Sequence, residues 1–166
     1  LRQGARVRFH GGTVELLGRV ALSEPSQGEA YARIHLESPA VVTRGDRFIL
    51  RAYSPLATIG GGVVLDPRPP RVSIRSAVGA RRLRQLDTDT PDDDAALAVL
   101  VTETGGSGLM RSALVSRAGL SYLKADAAVS RLTASGVATL VGNWLVSPGA
   151  CAELGERLLA ALGAHH

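Results

Sequence analysis

Apolar and polar side chains alternate along much of the first third of the chain. The clearest runs are residues 6–9, 30–37 and 47–53. Alternation of period two with one polar face is typical of antiparallel strands that are buried on one side. Turn-forming residues separate the runs at positions 10–12, 24–28 and 43–46. We therefore predict about six strands over residues 4–66, at the short spacing of a closed barrel or a sandwich.

Three prolines, Pro67, Pro69 and Pro70, follow the last of these strands. Proline has no backbone N–H and holds the residue before it extended, so the segment interrupts regular structure. We predict a domain boundary here and a short helix within residues 72–86. The apolar stripe of that helix is Ile74, Val78 and Leu86, and its arginines are Arg75, Arg81, Arg82 and Arg84.

The next segment carries signals for the start of a helix. Thr90 can act as an N-cap, Pro91 suits the first helical position, and the acids at 92–94 complement the positive end of the helix dipole. These signals predict a helix over residues 91–103.

Two further helices are predicted, over residues 109–118 and 121–135. Gly119 suits the left-handed position that ends the first of them, and Ser121 caps the second. The second helix has an apolar face with the spacing i, i+3, i+4, i+7. The residues of that face are Ala125, Ala128, Val129 and Leu132.

The order of the elements that follow predicts the type of the second domain. Residues 137–141 and 144–146 are strand-like, and Gly142 with Asn143 favours a tight hairpin between them. Three helices and a two-stranded hairpin predict a winged helix. A last helix is predicted from Ser147, with one face formed by Cys151, Leu154, Leu158 and Ala161.

The distribution of charged residues also divides the chain into two parts. Of its 18 arginines, 14 lie at or before Thr90, against eight acids, while five basic residues face seven acids from Pro91 onward. A basic half and a mildly acidic half indicate two domains with different partners.

Composition excludes several classes of protein. No apolar run reaches the roughly 18 residues that a membrane span needs, and no signal peptide is evident, so we expect a cytoplasmic protein. A lone cysteine and four histidines without ligand spacing argue against a disulfide or a zinc site. The only lysine, Lys124, is not in a phosphate-binding loop, so this chain cannot by itself be a P-loop NTPase. We expect no catalytic residue, cofactor or metal in it.

Residues 46–67 read DRFILRAYSPLATIGGGVVLDP. This segment resembles the third domain of translation elongation factors of the Tu class, and more narrowly the bacterial selenocysteine-specific elongation factors (the SelB family). The segments Val7–His10 and Gly18–Val20 fit the opening strands of the same domain. A winged helix after this domain agrees with the selenocysteine-specific factor and not with the Tu factor.

The resemblance implies a mixed fold, all-β then α+β. A six-stranded antiparallel barrel over residues 1–67 is joined by a Pro/Arg-rich linker, 68–90, to a winged-helix domain, 91–166. It further implies a fragment of a monomeric factor that delivers selenocysteinyl-tRNA to the ribosome. The GTPase domain, which uses GTP and Mg, and the wings that recognise the messenger hairpin would lie in other parts of that factor.

The resemblance also indicates which residues contact the tRNA. In the Tu class, the last hairpin of the third domain contacts the T-stem of the tRNA. The corresponding candidate contacts in this chain are Arg51, Tyr53, Ser54 and Thr58. We add Arg47 on the same strand, and the linker arginines Arg81, Arg82 and Arg84, as candidate contacts to RNA. One departure matters: Leu56 and Ala57 stand where the Tu factor has Gly-Arg, so an arginine contact is absent there.

Structural explanations compete with several of these assignments. Arg44, Arg47 and Arg51 could be a solvated outer face, and Tyr53 could be partial core. The run Gly60–Gly62 follows no P-loop pattern and is better explained by a bulge or a tight corner. The linker arginines could instead pair with Asp87, Asp89 and the acids at 92–94.

The role of the winged helix is also open. Because it is net negative and has no basic residue at its wing turn, we favour a rigid spacer over a nucleic-acid reader. The alternative for the whole chain is a DNA-binding transcriptional regulator with a β-barrel sensor or interaction domain.

Overall fold

The computed structural model of the chain describes residues 1–24, 30–90 and 92–163. The chain divides into two compact units, Leu1–Asp87 and Thr88–His166. Within the described residues, no helix has both the length and the apolar character needed to cross a membrane.

The first unit is built on one antiparallel sheet. Its strands are β1 (Arg6–Gly11), β2 (Val14–Leu22), β3 (Ala32–Leu36), β4 (Arg47–Ala52) and β5 (Thr58–Val63). They lie in the order β3-β2-β1-β4-β5. The described residues of this unit thus form five strands, not the six predicted. The connection from β3 to β4 adds none: it contains Pro39, and Val41 is 98% exposed there.

One face of this sheet is the core of the unit. Val7, Phe9, Val20 and Leu50 are buried together, as the period-two alternation predicts. The rings of Phe9 and Phe48 stack with their centroids 5.2 Å apart. The opposite face is therefore left to the polar positions of the same strands.

The glycine run on β5 has a structural role. A Cβ added at Gly61 would lie 2.7 Å from the carbonyl oxygen of Phe48, and one added at Gly62 would lie 3.0 Å from the Phe48 ring. Both distances are too short for a side chain, so these glycines allow β5 to lie close against β4. This supports the structural explanation of the run over a phosphate-binding one.

The helix α1 (Ala77–Leu86) belongs to the first unit. The Ser76 hydroxyl caps it by accepting a hydrogen bond from the N–H of Gly79. Arg82 forms an ion pair with Asp66, whose side chain is only 2% exposed. Just before the helix, Arg75 Nε donates to the carbonyl oxygen of Leu22 at the end of β2, at 3.0 Å. The segment after the prolines is thus tied back to the sheet.

The second unit combines helices with a small antiparallel sheet. Its elements are α2 (Asp94–Thr102), β6 (Leu109–Met110), α3 (Arg111–Ser116), α4 (Tyr122–Ala134), β7 (Thr139–Val141), β8 (Trp144–Val146) and α5 (Pro148–Gly163). The strands lie in the order β6-β8-β7.

Two predicted boundaries in this unit are wrong. Asp93, not Thr90, caps α2, and its carboxylate accepts a hydrogen bond from the N–H of Ala96. Pro91, the predicted first helical residue, lies outside the described residues. The helix predicted over 109–118 is shorter, because Leu109 and Met110 pair with β8 as a strand.

The third predicted helix is confirmed. Ser121 caps α4 by accepting from the N–H of Lys124, and Gly119 before it has a left-handed φ of 70°. The predicted apolar face is buried, at Ala125, Ala128, Val129 and Leu132.

The last helix begins where predicted but packs differently. On α5, Leu154 is 40% exposed and Leu158 is 62% exposed, so the predicted apolar face is not buried within the described part of this unit.

The ion pair between Arg82 and Asp66 generates a first prediction. Removing one partner of a largely buried pair withdraws the compensating charge from the other, so Arg82→Gln should lower the free energy of unfolding of the first unit by about 3 kcal/mol. The neighbouring Arg81 is exposed, and Arg81→Gln should change it by less than about 0.5 kcal/mol. Urea denaturation followed by circular dichroism measures both variants, with Trp144 fluorescence reporting the second unit. Equal stability of the two variants would contradict the anchoring role of Arg82.

Candidate RNA interface

The polar face of the first sheet is rich in arginine. The register pairs Arg6 with Arg19, Arg8 with Arg51, and Arg19 with His35, so these side chains share one face. By the same alternation this face carries six arginines, two histidines and two glutamates. They are Arg6, Arg8, Arg19, Arg33, Arg47, Arg51, His10, His35, Glu15 and Glu37.

The two glutamates each bind one arginine. Arg6 Nε donates to Glu37 Oε1 at 3.0 Å, and Arg6 Nη2 donates to Glu37 Oε2 at 2.9 Å. Glu15 forms an ion pair with Arg8. The hydrogen bond from Arg8 holds the pKa of Glu15 below its usual value, and the nearby charges of Arg8, His10 and Arg51 add to this. Both carboxylates therefore stay ionised and neutralise one guanidinium each.

Four arginines of this face remain without a carboxylate partner among the described residues. Arg19, Arg47 and Arg51 form no ion pair there, and Arg33 donates instead to the carbonyl oxygen of Pro70 at 3.0 Å. The face thus keeps a net positive charge after its internal pairs are formed. Such a surface attracts phosphate groups.

The centre of the face has a surplus of hydrogen-bond donors. Arg8 and Arg51 lie directly opposite each other on neighbouring strands, where like charges destabilise a sheet. The Nε atoms of both arginines and Nε2 of His10 are buried and find no hydrogen-bond partner within the described part of the chain. The buried guanidinium N–H groups of Arg8 and Arg51 are therefore unsatisfied within the described part of the chain.

Tyr53 is exposed and lies beside two arginines of the polar face. The guanidinium carbon of Arg6 lies 4.7 Å from the centre of its ring, and that of Arg8 lies 5.6 Å away. These distances are typical of cation–π contacts. The ring therefore helps to hold two arginines of the polar face, and it is not part of the core cluster of this unit.

The other predicted contacts lie along β4 and β5. Thr58 pairs with Arg51 in the register, and Ser54 lies in the connection between the two strands; both are exposed. Arg47, at the opposite end of β4, borders a shallow depression of about 520 Å³ with Ile49 and Val63. The structure thus brings Arg51 and Thr58 together and places Arg47 apart. Arg44 is buried and donates to the carbonyl oxygen of Leu65 at 3.0 Å, so its role is internal.

The three linker arginines differ in their surroundings. Arg82 is only 12% exposed and pairs with Asp66. Asp87, one of the acids that follow in sequence, accepts a hydrogen bond from the hydroxyl of Tyr31 at 3.0 Å. Arg81 and Arg84 are exposed. Arg82 therefore anchors α1, while its two neighbours are available to bind another molecule.

The second unit neutralises most of its own basic residues. Lys124 Nζ lies 3.4 Å from Asp92, and Arg131 lies 2.9 Å from Asp94. Two more pairs join Arg111 to Asp126 and Arg117 to Glu103. The hydrogen bond to Asp94 raises the pKa of Arg131 above its usual value. Five basic residues face eight acids over residues 88–166, so this unit offers phosphates little attraction.

Sequence reasoning missed four arginines of the polar face, Arg6, Arg8, Arg19 and Arg33. The resemblance assigned tRNA contacts only to the last hairpin, although the segments Val7–His10 and Gly18–Val20 also fit the opening strands of the same domain. The signal that could have found them is the alternation itself, because the polar positions of β1, β2 and β3 are repeatedly occupied by arginine.

The sequence matches to known proteins lie in the first unit. Residues 1–71 match the family model for the β-barrel domain of the selenocysteine-specific elongation factor. A selenocysteine-specific elongation factor from Desulfomicrobium baculatum is 31% identical over 71 residues, which are 40% of this chain and 11% of that protein.

The crystal structure of bacterial selenocysteine-specific elongation factor EF-Sec is similar in fold. The TM-score is 0.69 at 21% identity, over 96% of this chain and 24% of that one. This chain therefore spans less than a quarter of the length of either protein. The resemblance drawn from residues 46–67 is confirmed: residues 1–71 of this chain match the β-barrel domain of the selenocysteine-specific elongation factor.

Proposed function

We propose that this chain is a non-catalytic part of a translation elongation factor that delivers selenocysteinyl-tRNA to the ribosome in the cytoplasm. Its first unit supports the body of the tRNA, and its second unit is a spacer. The observation that carries the proposal is the polar face of the sheet, with six arginines against two glutamates. In the whole factor, another domain would bind GTP and Mg and hydrolyse the nucleotide, and further modules would bind the messenger hairpin.

The finer architecture belongs to the same proposal. We interpret the five-stranded sheet as the larger part of a six-stranded barrel of the kind found in the third domain of the Tu factor. The order α2, β6, α3, α4, β7, β8 is the order of a winged helix, with β7 and β8 as the wing. The turn of this wing is Gly142-Asn143, with Gly142 at a φ of 58°.

The chemistry of the polar face suits double-stranded RNA. Such RNA is recognised chiefly through phosphates and 2′-hydroxyl groups, because its deep major groove hides the base edges. Arg47 and Arg51 supply planar guanidinium groups that can bind phosphate with two hydrogen bonds. The hydroxyl groups of Ser54 and Thr58 can donate to phosphate or accept from a 2′-hydroxyl. This set recognises a stem by its shape and not by its sequence, as support of a tRNA body requires.

The internal ion pairs of the second unit favour a spacer. Lys124 and Arg131 lie on α4, the helix that a winged-helix reader places in a groove of nucleic acid. Both side chains are held by acids of the α2 region, Asp92 and Asp94. A groove-binding helix needs such cations for phosphates, so their use inside the unit supports a structural task.

Substitution on the sheet tests the tRNA contact. In the intact factor, Arg47→Ala with Arg51→Ala should weaken tRNA binding and reduce the slope of log affinity against log salt by about two, one for each lost phosphate contact. Filter binding at a series of salt concentrations measures both effects. Arg157→Ala, on α5, removes one exposed charge from the other unit and serves as control. An unchanged slope in the double variant would mean that both arginines are merely solvated.

Substitution on α4 tests the spacer role. We expect Lys124→Ala with Arg131→Ala to leave the binding of tRNA and of duplex DNA unchanged, because both cations are engaged within the unit. Gel-shift titrations of the intact factor at physiological salt measure this. A clear loss of affinity would show that the second unit reads nucleic acid. Tight, sequence-selective binding of duplex DNA would favour the transcriptional regulator instead.

A further inference from the structure

Residues 68–84 form an arginine segment. Six arginines lie within these 17 residues, and no acid lies between Pro67 and Leu86. They are Arg68, Arg71, Arg75, Arg81, Arg82 and Arg84. Such a density of one charge is costly in isolation, so its positions and partners are informative.

The helix α1 within this segment is held rigidly. Its inner face is buried at Gly79 and Leu86. A Cβ at Gly79 would lie 2.1 Å from the carbonyl oxygen of Ser73, so the start of the helix packs closely on the backbone before it. Arg82 is pinned to Asp66. The backbone positions of the opposite face are therefore fixed before binding, and the ordering cost that remains is that of the side chains.

The outer face of α1 presents two arginines. Positions 77, 81 and 84 lie in one row along a helix, opposite the buried row of Gly79, Arg82 and Leu86. Ala77, Arg81 and Arg84 are all exposed. Side chains three residues apart have Cβ atoms about 5–6 Å from each other, so the two guanidiniums can act on neighbouring groups. The small Ala77 leaves the approach to them open.

Acids elsewhere do not neutralise this pair. Within the described residues, neither Arg81 nor Arg84 forms an ion pair or a side-chain hydrogen bond. Of the acids that follow in sequence, Asp92 pairs with Lys124 and Asp94 with Arg131, and Asp87 accepts a hydrogen bond from Tyr31. Asp89 forms no ion pair with either arginine within the described residues.

We propose that Arg81 and Arg84 form a second RNA contact, which binds neighbouring backbone phosphates of a double-stranded RNA segment. The choice of RNA over another polyanion rests on the proposed function. The presence of two neighbouring cations on a fixed helix does not depend on that function. No aromatic side chain lies on α1 to stack on a base, so the contact is to the backbone and is independent of sequence. The first unit then holds RNA through two elements, the sheet and α1.

The test uses this 166-residue chain and a short RNA duplex of mixed sequence, with fluorescence anisotropy at several salt concentrations. In Arg81→Gln with Arg84→Gln, the salt slope should fall by about two. Between about 50 and 200 mM salt, the native chain should then lose roughly tenfold more affinity than the variant. Circular dichroism should show equal thermal stability, because both side chains are exposed. Arg157→Gln, matched in chemistry and exposure, should keep the native slope.

A second variant separates charge from local structure. Arg81→Lys with Arg84→Lys keeps both charges, so it should keep the native slope while losing some affinity with the bidentate geometry. A native slope in the glutamine variant, or no binding of the duplex by the native chain, would overturn the proposal. In the first case an acidic protein surface becomes the partner to test. The proposed function is judged separately, by tRNA binding of the intact factor with Arg47 and Arg51 replaced.

Discussion

A β-strand sends successive side chains to opposite faces of its sheet, and the first unit depends on this constraint. Because Val7, Phe9, Val20 and Leu50 are buried together on one face, the positions that alternate with them must lie on the opposite face of the sheet. A shift of one residue in β1, β2 or β4 would bury arginines and expose the core. The hydrophobic effect thus fixes the register, and the register alone assembles a continuous basic surface from strands that are distant in sequence.

The arginines of this chain have different structural roles. At Arg44 and Arg82 it is buried and satisfies a backbone carbonyl or a carboxylate, so it stabilises the fold. At Arg6 it covers an aromatic ring while binding Glu37. At Arg51 its Nε is buried without a partner among the described residues. A count of charges cannot separate these roles, which differ by burial and by the distance to a partner.

How well an element could be predicted depends on how far apart in sequence the interacting residues lie. The Ser121 cap and the buried face of α4 were predictable because both depend on residues within one or two helical turns. The pairing of Leu109 with Leu145, which shortened α3, was not, because it joins residues 36 positions apart. The same holds for the ion pair of Arg82 with Asp66, which joins residues 16 positions apart. For the candidate site, the motif identified β4 and β5, and only the strand register added Arg6, Arg8 and Arg19.

The internal ion pairs of the second unit have a consequence for the speed of association. Residues 1–87 carry 14 arginines against seven acids, while residues 88–166 carry a net negative charge. The two units therefore respond oppositely to the field of a polyanion. Encounters through the basic unit would be favoured during diffusional association, and collisions through the acidic unit would be suppressed. The neutralised helix α4 would then contribute to the association rate without touching RNA.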